Sequence, residues 1–144
     1  WIFSILIVQI VYGAFVAGMH AGKMYTTFPL MDGQIIPTGI STLEPQVLNL
    51  INNPVTVQFI HRMFAYILLF LIAKVWWSSH KMGMNSGQRR AMNIVLLAVS
   101  VQFLLGVLTL LTKVEITLAS LHQVGAFFLF SSMIYLLFSF RKST

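Results

Sequence analysis

The chain has 144 residues, of which 58% are hydrophobic and only 8% are charged, with a net charge of +6. A soluble domain carries about 25% charged residues, so this composition excludes a water-exposed globular surface and predicts an integral membrane protein. The absence of cysteine excludes disulfides, iron–sulfur clusters and thiolate zinc sites, and the scattered positive charges make no nucleic-acid-binding stripe.

Four apolar segments come close to or exceed the roughly 20 residues that a membrane-spanning helix needs. None of them alternates strictly between polar and apolar residues, so helices fit better than the strands of a membrane barrel. The sequence therefore predicts an all-α integral membrane four-helix bundle, with a single domain over residues 1–144. The predicted helices cover about residues 1–19, 55–77, 91–111 and 116–140. Because the chain starts at Trp1, within the first apolar segment and without an initiator methionine, we expect it to be part of a longer polypeptide.

The connections and the basic residues predict how the helices are arranged. The link between the last two helices is so short that they must be antiparallel neighbours. Lysine and arginine collect on one side, which the positive-inside rule assigns to the cytoplasm or the mitochondrial matrix, together with the C-terminus. The long loop 20–54 is then periplasmic or in the intermembrane space, and its stretch "LEPQVLNLINN" predicts a short helix on the surface of the bilayer. The basic residues on the inner side are Lys74, Lys81, Arg89, Arg90, Arg141 and Lys142.

The helices contain a repeat. "VQIVYGAFV" (8–16) matches "VQFLLGVLT" (101–109), with Val-Gln and then Gly in the same places. "FIHRMFAYILL" (59–69) matches "SLHQVGAFFLF" (120–130), with His, Ala and an aromatic residue in register. We therefore expect two tandem helical hairpins related by a pseudo-twofold axis along the membrane normal.

His61 and His122 occupy equivalent places in this repeat, each about 9 Å inside its helix from the outer side. Ionisable groups inside membrane spans are costly and usually face an interior site. Two facing neutral imidazoles are the axial ligands of a low-spin haem b, so these histidines are the predicted iron ligands. The alternative is that the two histidines make hydrogen bonds across helices without binding a metal. His80 lies in the inner connection and has no site assigned to it.

Further residues are predicted to complete a haem site around the two histidines. The small residues leave room for a flat macrocycle, although such residues are also ordinary packing contacts between membrane helices. The two glutamines are placed to hydrogen-bond an imidazole or a haem edge. The arginine is placed to meet a propionate, or else to reach lipid phosphate. These residues are Gln9, Gly13, Arg62, Gln102, Gly106, Gly125 and Ala126.

Four motifs, "QFIHR", "LHQVGA", "AGKMYTTFPLMDG" and "LEPQVLNL", resemble the C-terminal half of haem A synthase of the mitochondrial and proteobacterial type. The resemblance covers essentially the whole chain. It implies an eight-helix protein made of two four-helix bundles, of which this chain is the second. It also implies that His61 and His122 hold a permanent haem b, while the N-terminal half of the same protein holds haem O. Gln58 stands where the motif of that half has a carboxylate tied to catalysis, so no catalytic residue is expected here.

The resemblance implies an oxidoreductase that oxidises the C8 methyl of haem O to a formyl group and supplies haem A to cytochrome oxidase. This half would transfer electrons, since two axial histidines leave iron no open position. The implied partners are the N-terminal half, an electron donor, haem O synthase and the lipid bilayer. A stand-alone or homodimeric four-helix b-type cytochrome that carries electrons is the alternative. A non-haem transporter bundle is a third interpretation, which requires polar residues across the whole membrane thickness.

Overall fold

The computed structural model describes residues 1–141, and the helices account for most of them. Lys142, one of the basic residues behind the predicted orientation, lies outside the described residues. The elements are α1 (Ile2–Gly18), a 3₁₀ turn (Ala21–Lys23), a second 3₁₀ turn (Gln46–Leu48), α2 (Asn49–Asn52), α3 (Pro54–Ser79), α4 (Ser86–Leu111) and α5 (Ile116–Arg141).

Within residues 1–141, three helices are long and apolar enough to cross a membrane. α3, α4 and α5 have 26 residues each, which is about 39 Å at 1.5 Å per residue. α1 is also apolar but has only 17 residues, so the fourth predicted span remains a prediction. The protein is therefore an all-helical integral membrane protein over the described residues, and its orientation in the bilayer remains a prediction.

α4 begins at Ser86, before the span that the sequence predicts from about residue 91. The Asn85 side chain accepts a hydrogen bond from the Gln88 backbone N–H at 2.9 Å, and the Gln88 side chain accepts one from the Asn85 N–H at 3.1 Å. This reciprocal cap starts a helix in polar sequence. Hydropathy marks where the apolar residues begin and therefore misses such a first turn.

α1 and the three long helices contact one another in a ring. α1 packs on α3, α3 on α4, α4 on α5 and α5 on α1. We call the end of the bundle with residues 19–53 and the turn 112–115 the loop end, and the opposite end the tail end. The buried apolar core lies towards the tail end and includes Leu6, Ile72, Val95 and Met133. His61 and His122 lie nearer the loop end, and both residues are partly buried. The predicted pseudo-twofold axis remains a prediction.

Two asparagines organise the loop between α1 and α3. Asn53 caps α3 by accepting hydrogen bonds from two backbone N–H groups, and its amide N–H₂ donates to Gly39 O at 2.7 Å and to Asn49 Oδ1 at 2.9 Å. Asn49 in turn accepts from the N–H groups of Thr42 and Leu43. The surface helix predicted from "LEPQVLNLINN" is thus shortened to a 3₁₀ turn and the single turn of α2.

We expect Asn53→Ala to lower the free energy of unfolding by about 1–3 kcal/mol, because the substitution removes a helix cap and unpairs buried groups. Thermal unfolding in detergent measures the effect. Asn52→Ala is the matched control, since the neighbouring Asn52 is exposed. Equal unfolding temperatures for the two variants would show that the asparagine network does not hold the loop.

Candidate functional site

His61 on α3 packs against a glycine of α1. A Cβ atom built on Gly13 would lie 3.1 Å from His61 Cε1, closer than nearly all real contacts of that kind. Gln9, one turn earlier on α1, places its amide nitrogen 3.4 Å from His61 Nε2. The structure therefore brings three of the predicted site residues together at the α1–α3 contact.

The same arrangement recurs between α4 and α5. A Cβ atom on Gly106 would lie 2.9 Å from His122 Cε1, so this position also requires glycine if the ring is to stay in place. Gln102, again one turn earlier, donates from its amide to the His122 backbone carbonyl at 2.8 Å. The two glutamines thus occupy equivalent places but contact different atoms of their histidines.

Gly125 and Ala126 lie on α5 near His122, and Gly125 packs against Gln102. A side chain at Gly125 would collide with Gln102 Oε1, so Gly125 makes room for that glutamine and is not itself in contact with a histidine ring. Ala126 is half-buried on the same turn of α5. Small residues here are used for close helix packing as well as for space near His122.

Four buried polar atoms at the two histidine contacts have no hydrogen-bond partner among the described residues. They are His61 Nδ1, His122 Nδ1, Gln9 Oε1 and Gln102 Oε1. Buried polar atoms are normally paired, so each such atom calls for a partner from outside the chain. Imidazole nitrogens are iron ligands, so the two histidine atoms fit a haem, whereas the two amide oxygens need a hydrogen-bond donor that a haem does not supply.

The only side-chain hydrogen bond that His61 makes within residues 1–141 is the one with Gln9, which crosses from α3 to α1 and is a contact of the kind that the metal-free alternative predicts. No group of three or more His, Asp or Glu residues comes together in the described part of the chain. A haem needs only two protein ligands because the porphyrin supplies four, so this observation leaves the haem prediction untested.

Arg62 does not extend to the surface. It is only 6% exposed, and its guanidinium donates to Thr27 O at 2.9 Å and to Tyr25 O at 2.6 Å. No carboxylate pairs with it within the described residues, and its buried Nε–H has no partner. Arg62 is therefore a buried cation that is hydrogen-bonded to the loop. Its predicted contact with a propionate would use the unpaired Nε–H.

Gln58 is a further buried polar residue near the site. In the sequence it stands out only because it occupies the position of a carboxylate in the related motif. It is 2% exposed, and its amide donates to Tyr25 O at 2.8 Å while its carbonyl accepts from the Tyr25 N–H at 3.2 Å. The spacing of Gln58 and Arg62, four residues apart on one helix face, was the available signal. Nothing in the sequence indicated that both would bind the same loop residue.

Below the histidines the bundle is closed by apolar packing. Leu6, Ile72 and Val95 are each at most 1% exposed and belong to one continuous core. A transport route requires polar groups through the membrane thickness. The apolar core between the histidines and the tail end does not supply them, which argues against the transporter interpretation.

Comparison with known proteins identifies the family of the chain. The model of the COX15-CtaA family, described as cytochrome oxidase assembly protein, matches residues 1–134. Proteins named haem A synthase are 43% identical over 99% of this chain in Wolbachia pipientis wMel, and 46% identical over 85% of it in Bartonella henselae. The chain spans 39% and 34% of the lengths of these two relatives. No solved structure matches the chain significantly. The chain therefore belongs to the COX15-CtaA family of cytochrome oxidase assembly proteins, an oxidoreductase family that includes the haem A synthases.

Proposed function

We propose that this chain is the C-terminal, haem b-binding half of a haem A synthase and that it transfers electrons for the oxidation of haem O. The observation that carries the proposal is the pair of matching contacts, in which a glycine on one helix makes room for a histidine ring on the next. Each ring keeps a buried nitrogen without a partner. Two such imidazoles fit the axial ligand set of one iron.

His61 and His122 would hold the iron, and Gln9 and Gln102 would supply polar groups beside the rings. Bound haem b supplies reversible one-electron transfer, and with two axial histidines it has no position open to oxygen. Gly13 on α1 lets the His61 ring of α3 pack closely, and Gly106 on α4 does the same for the His122 ring of α5. These close contacts restrict the direction in which each ring nitrogen points. The apolar core below the site keeps water from reaching it from the tail end.

The neutral side chain of Gln58 supports a role for this half in which no residue acts as a proton-accepting base. Gln58 replaces the carboxylate expected of a catalytic half, and an amide cannot take up a proton as a base. Both of its polar groups are bonded to the Tyr25 backbone. The oxidation of the haem O methyl would therefore occur in the remainder of the longer protein, and this half would supply electrons to it.

The first test is the visible spectrum of the purified chain with a pyridine haemochrome assay. We expect a low-spin b-type haem at one per chain. The second test places His61→Ala in the full-length protein and measures haems by extraction, where haem O should accumulate and haem A should fall. A chain without b-type haem, or undiminished haem A formation in the variant, would overturn the proposal. A b-type haem with no effect of the variant on haem A would favour an electron-carrying cytochrome.

A further inference from the structure

Residues 25–29 of the loop form a strap that is bonded to α3 through its backbone. Gln58 binds Tyr25 in both directions, donating to its carbonyl at 2.8 Å and accepting from its N–H at 3.2 Å. Arg62, one turn further along α3, donates to the same carbonyl at 2.6 Å and to Thr27 O at 2.9 Å. Tyr66, one turn further again, donates to Pro29 O at 3.3 Å. The strap therefore follows three successive turns of one face of α3.

The strap also reaches α4. Its Phe28 ring lies with its centroid 6.2 Å from that of Tyr66 on α3 and 6.1 Å from that of Phe103 on α4. Phe103 follows Gln102 directly in sequence, and Arg62 follows His61. The strap thus crosses the seam between α3 and α4 at the level of the two histidine contacts.

The residues before the strap close the neighbouring part of the loop end. Ala21 is fully buried, and a Cβ atom on Gly22 would lie 3.1 Å from Val114 Cγ2 in the turn between α4 and α5. The loop therefore contacts α3, α4 and this turn, which surround the end of the bundle that holds His61 and His122. Together, the strap and these two residues form a cover over that end.

The strap is held by groups that cannot be left unpaired without cost. Gln58 and Arg62 are 2% and 6% exposed, and their side chains hydrogen-bond to backbone atoms of the strap. A buried amide or guanidinium that loses its hydrogen bonds pays the full cost of desolvation. We therefore expect the strap to separate from this face of α3 in one cooperative step, because partial separation would leave these side chains unpaired.

We infer that Gln58 is a positioning residue whose amide latches the strap over the α3–α4 seam and so keeps water from the end of the bundle where the haem is proposed to bind. An amide is required because Tyr25 presents an acceptor and a donor to the same side chain. The part that concerns haem rests on the proposed function, whereas the latch itself does not. Water at the haem edge stabilises the more highly charged ferric form, so an open strap lowers the reduction potential.

The test compares Gln58→Leu with Gln88→Leu. The first removes both hydrogen bonds of Gln58 to the strap without adding charge, and the second removes another buried glutamine, which lies at the tail end. Hydrogen–deuterium exchange of a peptide covering residues 25–29 is expected to be about tenfold faster in Gln58→Leu, the effect of losing one or two net hydrogen bonds. Redox titration of the bound haem is expected to show a lower midpoint potential in Gln58→Leu, while Gln88→Leu keeps wild-type exchange and potential.

Each outcome decides one part of the inference. Unchanged exchange of the strap in Gln58→Leu overturns the latch. Faster exchange with an unchanged midpoint potential overturns the covering role but keeps the latch. Equal changes in Gln88→Leu would show a general loosening of the protein and would also overturn the inference. A wild-type protein that binds no haem refutes the proposed function, and the exchange experiment then still tests the latch.

Discussion

Replacing either His61 or His122 with alanine is expected to abolish the low-spin haem signal of the purified protein. One remaining imidazole cannot complete the axial pair, so the haem is either lost or converted to a five-coordinate, high-spin form. The visible spectrum and the haem-to-protein ratio measure this directly. We expect at least a tenfold loss of low-spin haem in each variant, since the removed metal bond is worth more than 1.4 kcal/mol.

His80→Ala is the matched control for these variants. His80 lies at the tail end, where its Nδ1 is 3.0 Å from Trp76 O and its ring packs edge-on against the Trp76 ring. Its loss removes a local contact and leaves both histidine contacts of the site in place. Full low-spin haem in His80→Ala is therefore expected, and an equal loss in all three variants would mean that the iron ligands are wrongly assigned.

The second large effect is expected from Gly106→Ala. The added methyl group would lie 2.9 Å from His122 Cε1, so either the ring or α4 must move. Overpacking of this kind costs about 1–3 kcal/mol, and if that cost falls on the bound state the haem affinity drops by about 5- to 150-fold. Haem titration of the purified apoprotein measures the dissociation constant.

Two further glycine variants make the test specific. Gly13→Ala places the added methyl group 3.1 Å from His61 Cε1 and should weaken haem binding in the same direction. Gly18→Ala changes a helical glycine with nothing within 4 Å of the added atom, and should leave haem affinity unchanged. If Gly18→Ala weakened binding as much as Gly106→Ala, helix flexibility and not ring placement would explain the effect.

Much of the fold could be predicted from the sequence because a segment in lipid must pair its backbone polar groups internally, which restricts it to helices or closed barrels. Long apolar segments with polar connections give helices, and α3 and α5 lie where hydropathy indicated. Hydropathy failed where polar chemistry starts a helix, as with the Asn85–Gln88 cap of α4. It also overestimated the surface helix, because the start of "LEPQVLNLINN" is bonded to Asn49 in the asparagine network and the helical part is limited to Gln46–Leu48 and Asn49–Asn52.

The site was predictable to the extent that it repeats. The shared Gln, Gly and His positions led to residues that the structure places in contact, Gly13 against His61 and Gly106 against His122. The loop contacts follow no such period, so the bonds from Gln58 and Arg62 to Tyr25 were not foreseen. Backbone acceptors are supplied by every residue, and the partner of a buried donor can therefore not be identified from residue type alone.

The most direct test of the central claim is electron paramagnetic resonance of the oxidised, purified protein at low temperature. Iron held by His61 and His122 predicts a low-spin ferric signal typical of two imidazole ligands, which is lost in His61→Ala and in His122→Ala and retained in His80→Ala. A high-spin ferric signal in the wild-type protein, or a bis-imidazole signal that survives either substitution, would contradict it.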